Sequence, residues 1–255
     1  HWRGLVGDAE RAGLDYVTFE DALHLQGGSD DGGPNPGIPQ GRLDALLVAS
    51  WIAPATRGIG LIPTVTVTHT EPFHVATGLQ TLDHVGAGRA GWQLRVSEGA
   101  ADAAAFGRRE AATLTPEALE TEAVEVAEVV RALWDSWEDE ALVVDTASGL
   151  FADDTKIHPI EHVGRHYRVK GALNTPRTPP GRPVYVQAGS SDDGRSFAAR
   201  YAEAIFTAHQ TLPSAQAFYA DIKRQAASLG RRPEHVKILP GISPYIGSTE
   251  VEAQR

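Results

Sequence analysis

The chain of 255 residues contains no cysteine and no methionine. Without a thiol it can form no disulfide, hold no metal through thiolate and offer no cysteine nucleophile. Its 23 Lys and Arg form no basic block, and the formal net charge is −10. That balance argues against a nucleic-acid partner and against an anionic membrane surface. No apolar run approaches the length of a membrane span. What remains, 42% hydrophobic and 22% charged residues, is the composition of a globular chain long enough for one large domain. The chain opens at His1-Trp2-Arg3, inside an apparent helix, so a piece of a longer protein is expected, with cytoplasmic residence as the default.

Periodicity predicts helices over Trp2 to Gly13, Asp44 to Ala55, Pro72 to His84, Pro116 to Trp137, Phe197 to Glu203 and Pro213 to Leu229. Between them fall six short β-rich runs: Leu14 to Phe19, Gly58 to Thr68, Arg89 to Ser97, Val184 to Gln187, Ala204 to Thr207 and Val236 to Ile246. Gly27 to Gly41 reads as a loop, and Val143 to Pro180 as an irregular insertion with a small hairpin around Tyr167-Arg168-Val169. Alternating strands and helices imply a parallel sheet covered by helices. The length suits a (β/α)8 barrel, with one strand expected before His1 and one after Arg255. An open doubly wound sheet is the competing architecture.

In a parallel barrel the chemistry gathers at the strand exits. Here those exits carry neutral hydroxyls and amides more than acids, bases or nucleophiles, a lining suited to holding a polar cofactor. Thr64, Thr66 and Thr68 alternate with apolar residues and so share one face. They mark either a ligand face or a partly solvated strand. Gly189, Ser190 and Ser191 leave a strand and enter a helix, where small residues, hydroxyls and helix amides can cradle a phosphate; an ordinary helix cap is the alternative. Arg95 shares parity with Gln93 and Ser97. A guanidinium on an inward face needs an anion, either a substrate carboxylate, a cofactor phosphate or a neighbouring acidic side chain.

Three other signals carry less. Gly86 to Gly91 fits GxGxxG but follows a helix and precedes a strand, the reverse of a dinucleotide site. His158, His162 and His166 are spaced four apart around Glu161, but Pro159 and Gly164 break the helix that a metal face would need. The acidic run Glu117 to Glu128 reads as a solvated helix face.

Taken in order, Thr18-Phe19-Glu20-Asp21, Glu71-Pro72-Phe73, Leu82-Asp83-His84, Gly88-Arg89-Ala90-Gly91-Trp92, Leu133-Trp134-Asp135-Ser136-Trp137, Gly171 to Pro176, Gln187 to Ser191 and Leu239-Pro240-Gly241 resemble the nitrilotriacetate monooxygenase branch of the luciferase-like flavin monooxygenases. The resemblance implies one TIM-type (β/α)8 barrel over 1–255, entered at its second strand, with an insertion (141–180) after the fourth that forms part of a lid. It also implies reduced FMN from a separate NAD(P)H:flavin reductase, molecular oxygen, a small organic substrate, a flavin C4a-peroxide as oxidant, and a dimer or tetramer. By position, Asp21 stands near the flavin ring, Thr64 and Thr66 line the isoalloxazine with Gln93 beside them, and Ser190 and Ser191 with Gly189 take the phosphate. Arg95 is the substrate-binding candidate.

The chain departs from the family at two places. Gln93-Leu94-Arg95-Val96-Ser97 stands where Asn-Val-Val-Thr-Ser is usual, and Pro116 and Glu120 stand where a His and a Tyr are usual. Three alternatives follow: an F420-dependent oxidoreductase of the same fold, a non-catalytic flavin-binding relative, and a metal-dependent hydrolase using the His158 cluster.

Overall fold

The computed structural model describes residues 1–25, 37, 40–179, 181–189 and 191–254. Two compact units divide it at 185/186. The first opens with α1 (Trp2–Arg11), β1 (Tyr16–Phe19), α2 (Ala45–Ile52), β2 (Gly60–Thr66), α3 (Pro72–Val85) and β3 (Gly91–Arg95). β1, β2 and β3 are neighbours and run parallel, with Phe19 beside Pro63 and Thr66 beside Arg95. α2 forms because Ala45, Val48, Ala49 and Ile52 make a buried stripe and the Asp44 carboxylate accepts the Leu47 N–H. That stripe packs with Val6, Phe19, Leu61, Leu82 and Ala90, so one face of the three strands is sealed by helices.

After α4 (Ala100–Phe106) comes α5 (Pro116–Trp134), then two antiparallel hairpins, β4 (Leu142–Asp145) with β5 (Leu150–Ala152) and β6 (Ile160–Val163) with β7 (Arg168–Gly171). The second hairpin contains the one expected at Tyr167 to Val169. β8 (Val184–Ala188) leads into the second unit, where α6 (Asp192–Tyr201), β9 (Ala204–Thr207), α7 (Leu212–Ser228), β10 (Lys237–Pro240) and α8 (Glu250–Ala253) follow. Val186 to Ala188 pair in parallel with β9, and β9 with β10. Ala198, Ile205, Phe218, Ile222 and Val236 form this unit's core. Arg231 donates to the carbonyls of Ala199 and Ala202 at the end of α6, where a cation suits the helix dipole.

All six expected strands therefore form, each in a parallel pair. The last is shorter than expected, ending at Pro240. A β-carbon on Gly241 would lie 2.7 Å from the Phe206 ring, and Ile242, Tyr245 and Ile246 are exposed. The sixth helix starts five residues earlier than expected because Ser191 caps it.

The family motifs act largely as structural ties. Arg89 donates to the carbonyls of Ala53, Thr56 and Ile59 and to the Thr56 hydroxyl. Asp83 accepts from the Ala90 N–H at 3.0 Å and from the Thr178 hydroxyl at 2.5 Å. At Gly91 a β-carbon would stand 2.8 Å from Ile62 and 3.1 Å from the Val184 carbonyl, so no side chain fits. Trp134 donates to the Ala76 carbonyl and meets Trp92 edge to face at 6.0 Å. Ser136 and Trp137 hold Leu173 of the Gly171 to Pro176 motif through two hydrogen bonds.

Glu122 and Glu125 correct the reading of the acidic run as solvated. Both are buried, at 3% and 8% exposure. Arg109 grips Glu122 with both terminal nitrogens, and the Tyr167 hydroxyl donates to the same carboxylate. Glu125 accepts from the backbone N–H groups of His166 and Tyr167 and lies 2.9 Å from His162 Nε2. Two turns of α5 thus clamp the β6–β7 hairpin. The three histidines of the discounted set have separate partners: Glu138 for His158, Glu125 for His162, Thr121 for His166. Among the described residues no group of three or more His or acidic side chains could hold a metal, and no helix is long and apolar enough to cross a membrane.

Candidate functional site

Parallel register fixes which side chains share a face. Thr64 stands beside Gln93 and Thr66 beside Arg95, while Leu61 and Ala90, of opposite parity, lie in the helix-side core. The threonine face therefore looks away from the helices, as the period of two predicts. Thr64 is fully buried there, and its hydroxyl has no hydrogen-bond partner. A buried hydroxyl without a partner costs about 1–3 kcal/mol, so this face is built for a group that supplies one. Thr68 is already engaged, accepting the Ser97 N–H at 2.8 Å.

At the exits of β2 and β3 lies a cavity of about 190 Å³, lined by Asp21, His24, Thr66, Arg95, Ser97, Glu98 and Asp102 among others. Asp21, Thr66 and Arg95 thus come together, with Thr64 and Gln93 one step behind on the same face. Burial raises the Asp21 carboxyl above its ordinary range, opposed by the hydrogen bond from the Ala22 N–H. Arg95 Nη1 donates to the Asp21 carbonyl at 3.1 Å and lies 3.5 Å from Glu20. The Arg95 and Glu20 side chains are about half exposed, so the pair is worth at most about 1 kcal/mol. The acidic neighbour exists, but it holds the guanidinium weakly.

The phosphate candidates belong to the second unit. Gly189 has a φ of +148°, which disfavours any side chain. Ser191 accepts the Gly194 N–H as the cap of α6, the plainer of the two roles foreseen. Ser190 lies outside the described residues. Pro116 is the exposed first residue of α5, and Glu120 is half-buried on the same helix.

Two groups escaped the sequence reading. Asp102 on α4 is buried and holds His24 Nδ1 at 2.7 Å and the Ser97 hydroxyl at 2.5 Å. His69, one residue beyond the threonine run, is buried and stacked on Phe106 at 4.8 Å, and its Nε2 has no partner. Burial, reinforced by the Arg109 charge, lowers the His69 pKa and favours the neutral ring. A larger cavity, about 490 Å³, is lined by His84, Glu138, Asp139 and Arg177 at the opposite ends of the strands. Arg177 is already paired there with Asp135 and Asp139.

Parallel strands between helices, with a hydroxyl face ending in an exit-side cavity, define an α/β protein that holds a polar ligand at its strand ends. The chain belongs to the luciferase-like monooxygenase family, which it matches over residues 2–255. It is 41% identical over 254 residues to the N-acetyl-S-(2-succino)cysteine monooxygenase of Bacillus subtilis, covering all of this chain and 56% of that protein. It is 40% identical to component A of the nitrilotriacetate monooxygenase of Aminobacter aminovorans, again over the whole chain and 57% of the relative. The chain thus spans little more than half the length of these relatives. Among solved structures, a riboflavin lyase with modified FMN and riboflavin superposes with a TM-score of 0.90 at 32% identity, over 98% of this chain and 56% of that one. An F420-dependent tetrahydromethanopterin reductase, at 16% identity and TM-score 0.69, shares the fold alone.

Proposed function

We infer that the chain is the flavin-binding part of a monooxygenase that takes reduced FMN and molecular oxygen and oxidises a small organic substrate. The observation that carries this reading is the buried, unpartnered Thr64 hydroxyl, on a face of neutral donors in a chain of this family. The residues present fit a flavin: hydroxyls and an amide for the ring edge, and an acid of raised pKa at the rim. When bound, reduced flavin supplies the oxygen activation.

The protein's part is to hold and to shield. Thr64, Thr66 and Gln93 bind the ring edge, and Asp21 holds a proton at its carboxyl beside it. Arg95, loosely paired with Glu20, takes the carboxylate of an anionic substrate. Gly189, Ser190 and Ser191 keep the phosphate role. The strands belong, in this reading, to a full (β/α)8 barrel of a cytoplasmic dimer or tetramer. Gly86 to Gly91 forms the turn from α3 into β3 and offers no nicotinamide site. Electrons therefore come from a separate NAD(P)H:flavin reductase, and the "component A" in one relative's name supports that arrangement.

Oxygen uptake with reduced FMN, in the presence and absence of nitrilotriacetate, N-acetyl-S-(2-succino)cysteine and related carboxylates, tests the reading. Substrate-dependent uptake is expected. FMN binding without any such uptake would leave a non-catalytic flavin-binding relative.

A further inference from the structure

The cavity at the exits of β2 and β3 contains an arrangement that the flavin reading does not use. Asp102 sits near the start of α4 with only 5% exposure, and both its oxygens are committed. One accepts the Ser97 hydroxyl at 2.5 Å; the other lies 2.7 Å from His24 Nδ1. Ser97 is fixed in turn, its N–H on the Thr68 hydroxyl and its oxygen accepting the Gly99 N–H at 3.2 Å. The turn leaves no slack: a β-carbon on Gly99 would lie 3.2 Å from the Asp102 carboxylate. A rigid buried carboxylate is thus aimed at one nitrogen of a half-exposed imidazole whose ring lines the cavity.

A carboxylate bound at Nδ1 fixes the proton there and makes Nε2 the basic nitrogen of the neutral ring. It also stabilises the imidazolium once Nε2 takes a second proton. The geometry points to His24 as a catalytic proton-transfer residue of this cavity, with Asp102 and Ser97 as positioning residues. The role rests on the monooxygenase reading for its substrate but not for its geometry. In the step, an acidic X–H of a substrate beside Arg95 loses its proton to Nε2; the bonding pair stays on X, and the proton later returns to product or water. The other charged groups lining the cavity are Asp21, Arg95 and Glu98. Arg95 stabilises the anion so formed.

Two readouts on the full chain test this. Proton–nitrogen correlation spectra of histidine-labelled protein without flavin, assigned with His24→Gln, should show His24 as the Nδ1–H tautomer. Asp102→Asn can turn an amide N–H toward Nδ1 and should switch His24 to the Nε2–H form. A wild-type ring already in the Nε2–H form, or one unmoved by Asp102→Asn, overturns the assignment. Turnover is the second readout. His24→Gln should lower kcat about 100-fold and remove the acidic limb of its pH profile, with KM little changed. Asp102→Asn should follow it in kcat, and Ser97→Ala should fall between. Full kcat and an unaltered pH profile in His24→Gln overturn the proposal. If wild-type protein shows no substrate-dependent oxygen uptake, the monooxygenase reading fails by itself and the tautomer experiment alone decides the dyad.

Discussion

Thr64 gives the sharpest residue-level contrast between a structural and a ligand role. Its hydroxyl is buried and unpartnered, so Thr64→Val removes an unsatisfied polar group at nearly constant volume. The ligand-free variant should be as stable as the parent or more so, by up to about 1 kcal/mol, while FMN binding weakens about tenfold. Urea denaturation and flavin titration on the same sample check both halves. Arg89 should behave in the opposite way. Its four hydrogen bonds all go to structural acceptors, so Arg89→Ala should cost about 3 kcal/mol in denaturation through the carbonyls it strands. Arg95→Ala loses only an exposed pair and should leave stability within about 0.5 kcal/mol, yet raise KM for carboxylate substrates about tenfold. The threonine face was legible in the sequence because a strict period of two survives in any strand. The His24–Asp102 pair was not, because 78 residues separate its members and nothing local marks either.

At the scale of elements, α5 shows what a pattern of charges conceals. Glu122 and Glu125 belong to an acidic run that reads as solvent-facing, but the segment before α5 brings Arg109 and the β6–β7 hairpin brings Tyr167 and His162 onto them. Burial pushes both carboxyls up, and the hydrogen bonds and positive charge outweigh it, so both end below the ordinary value of 4.5. The unfolded chain therefore binds more protons than the folded one in the range below 4.5. The stability these groups add is complete above that value and is lost as pH falls through the folded pKa values. Glu125→Gln should lower stability at pH 7 by about 2 kcal/mol and flatten its decline between pH 5 and pH 3, as urea midpoints across that range would show. An unchanged slope would mean that the hairpin is held by something else. The short helix α4 was missed for a different reason: Ala100 to Phe106 is nearly all alanine and presents no apolar stripe to read. β10 was read too long because the apolar residues beyond Gly241, which look like strand, are exposed.

For the whole molecule, the six parallel strands and their intervening helices were legible because β-branched runs and capped amphipathic helices follow local rules. The motif order then pointed to the family that the chain matches over residues 2–255. The roles of several motif residues were not legible: Arg89, Asp83, Gly91 and Trp134 look like site residues in sequence and prove to be ties between elements. The central claim is that the hydroxyl face of β2 and β3 is shaped for a flavin in its reduced state. Anaerobic titration of the chain with oxidised and then with reduced FMN tests it most directly. The account predicts binding at least tenfold tighter for the reduced form; equal affinity for the two forms, or no binding of either, would contradict it.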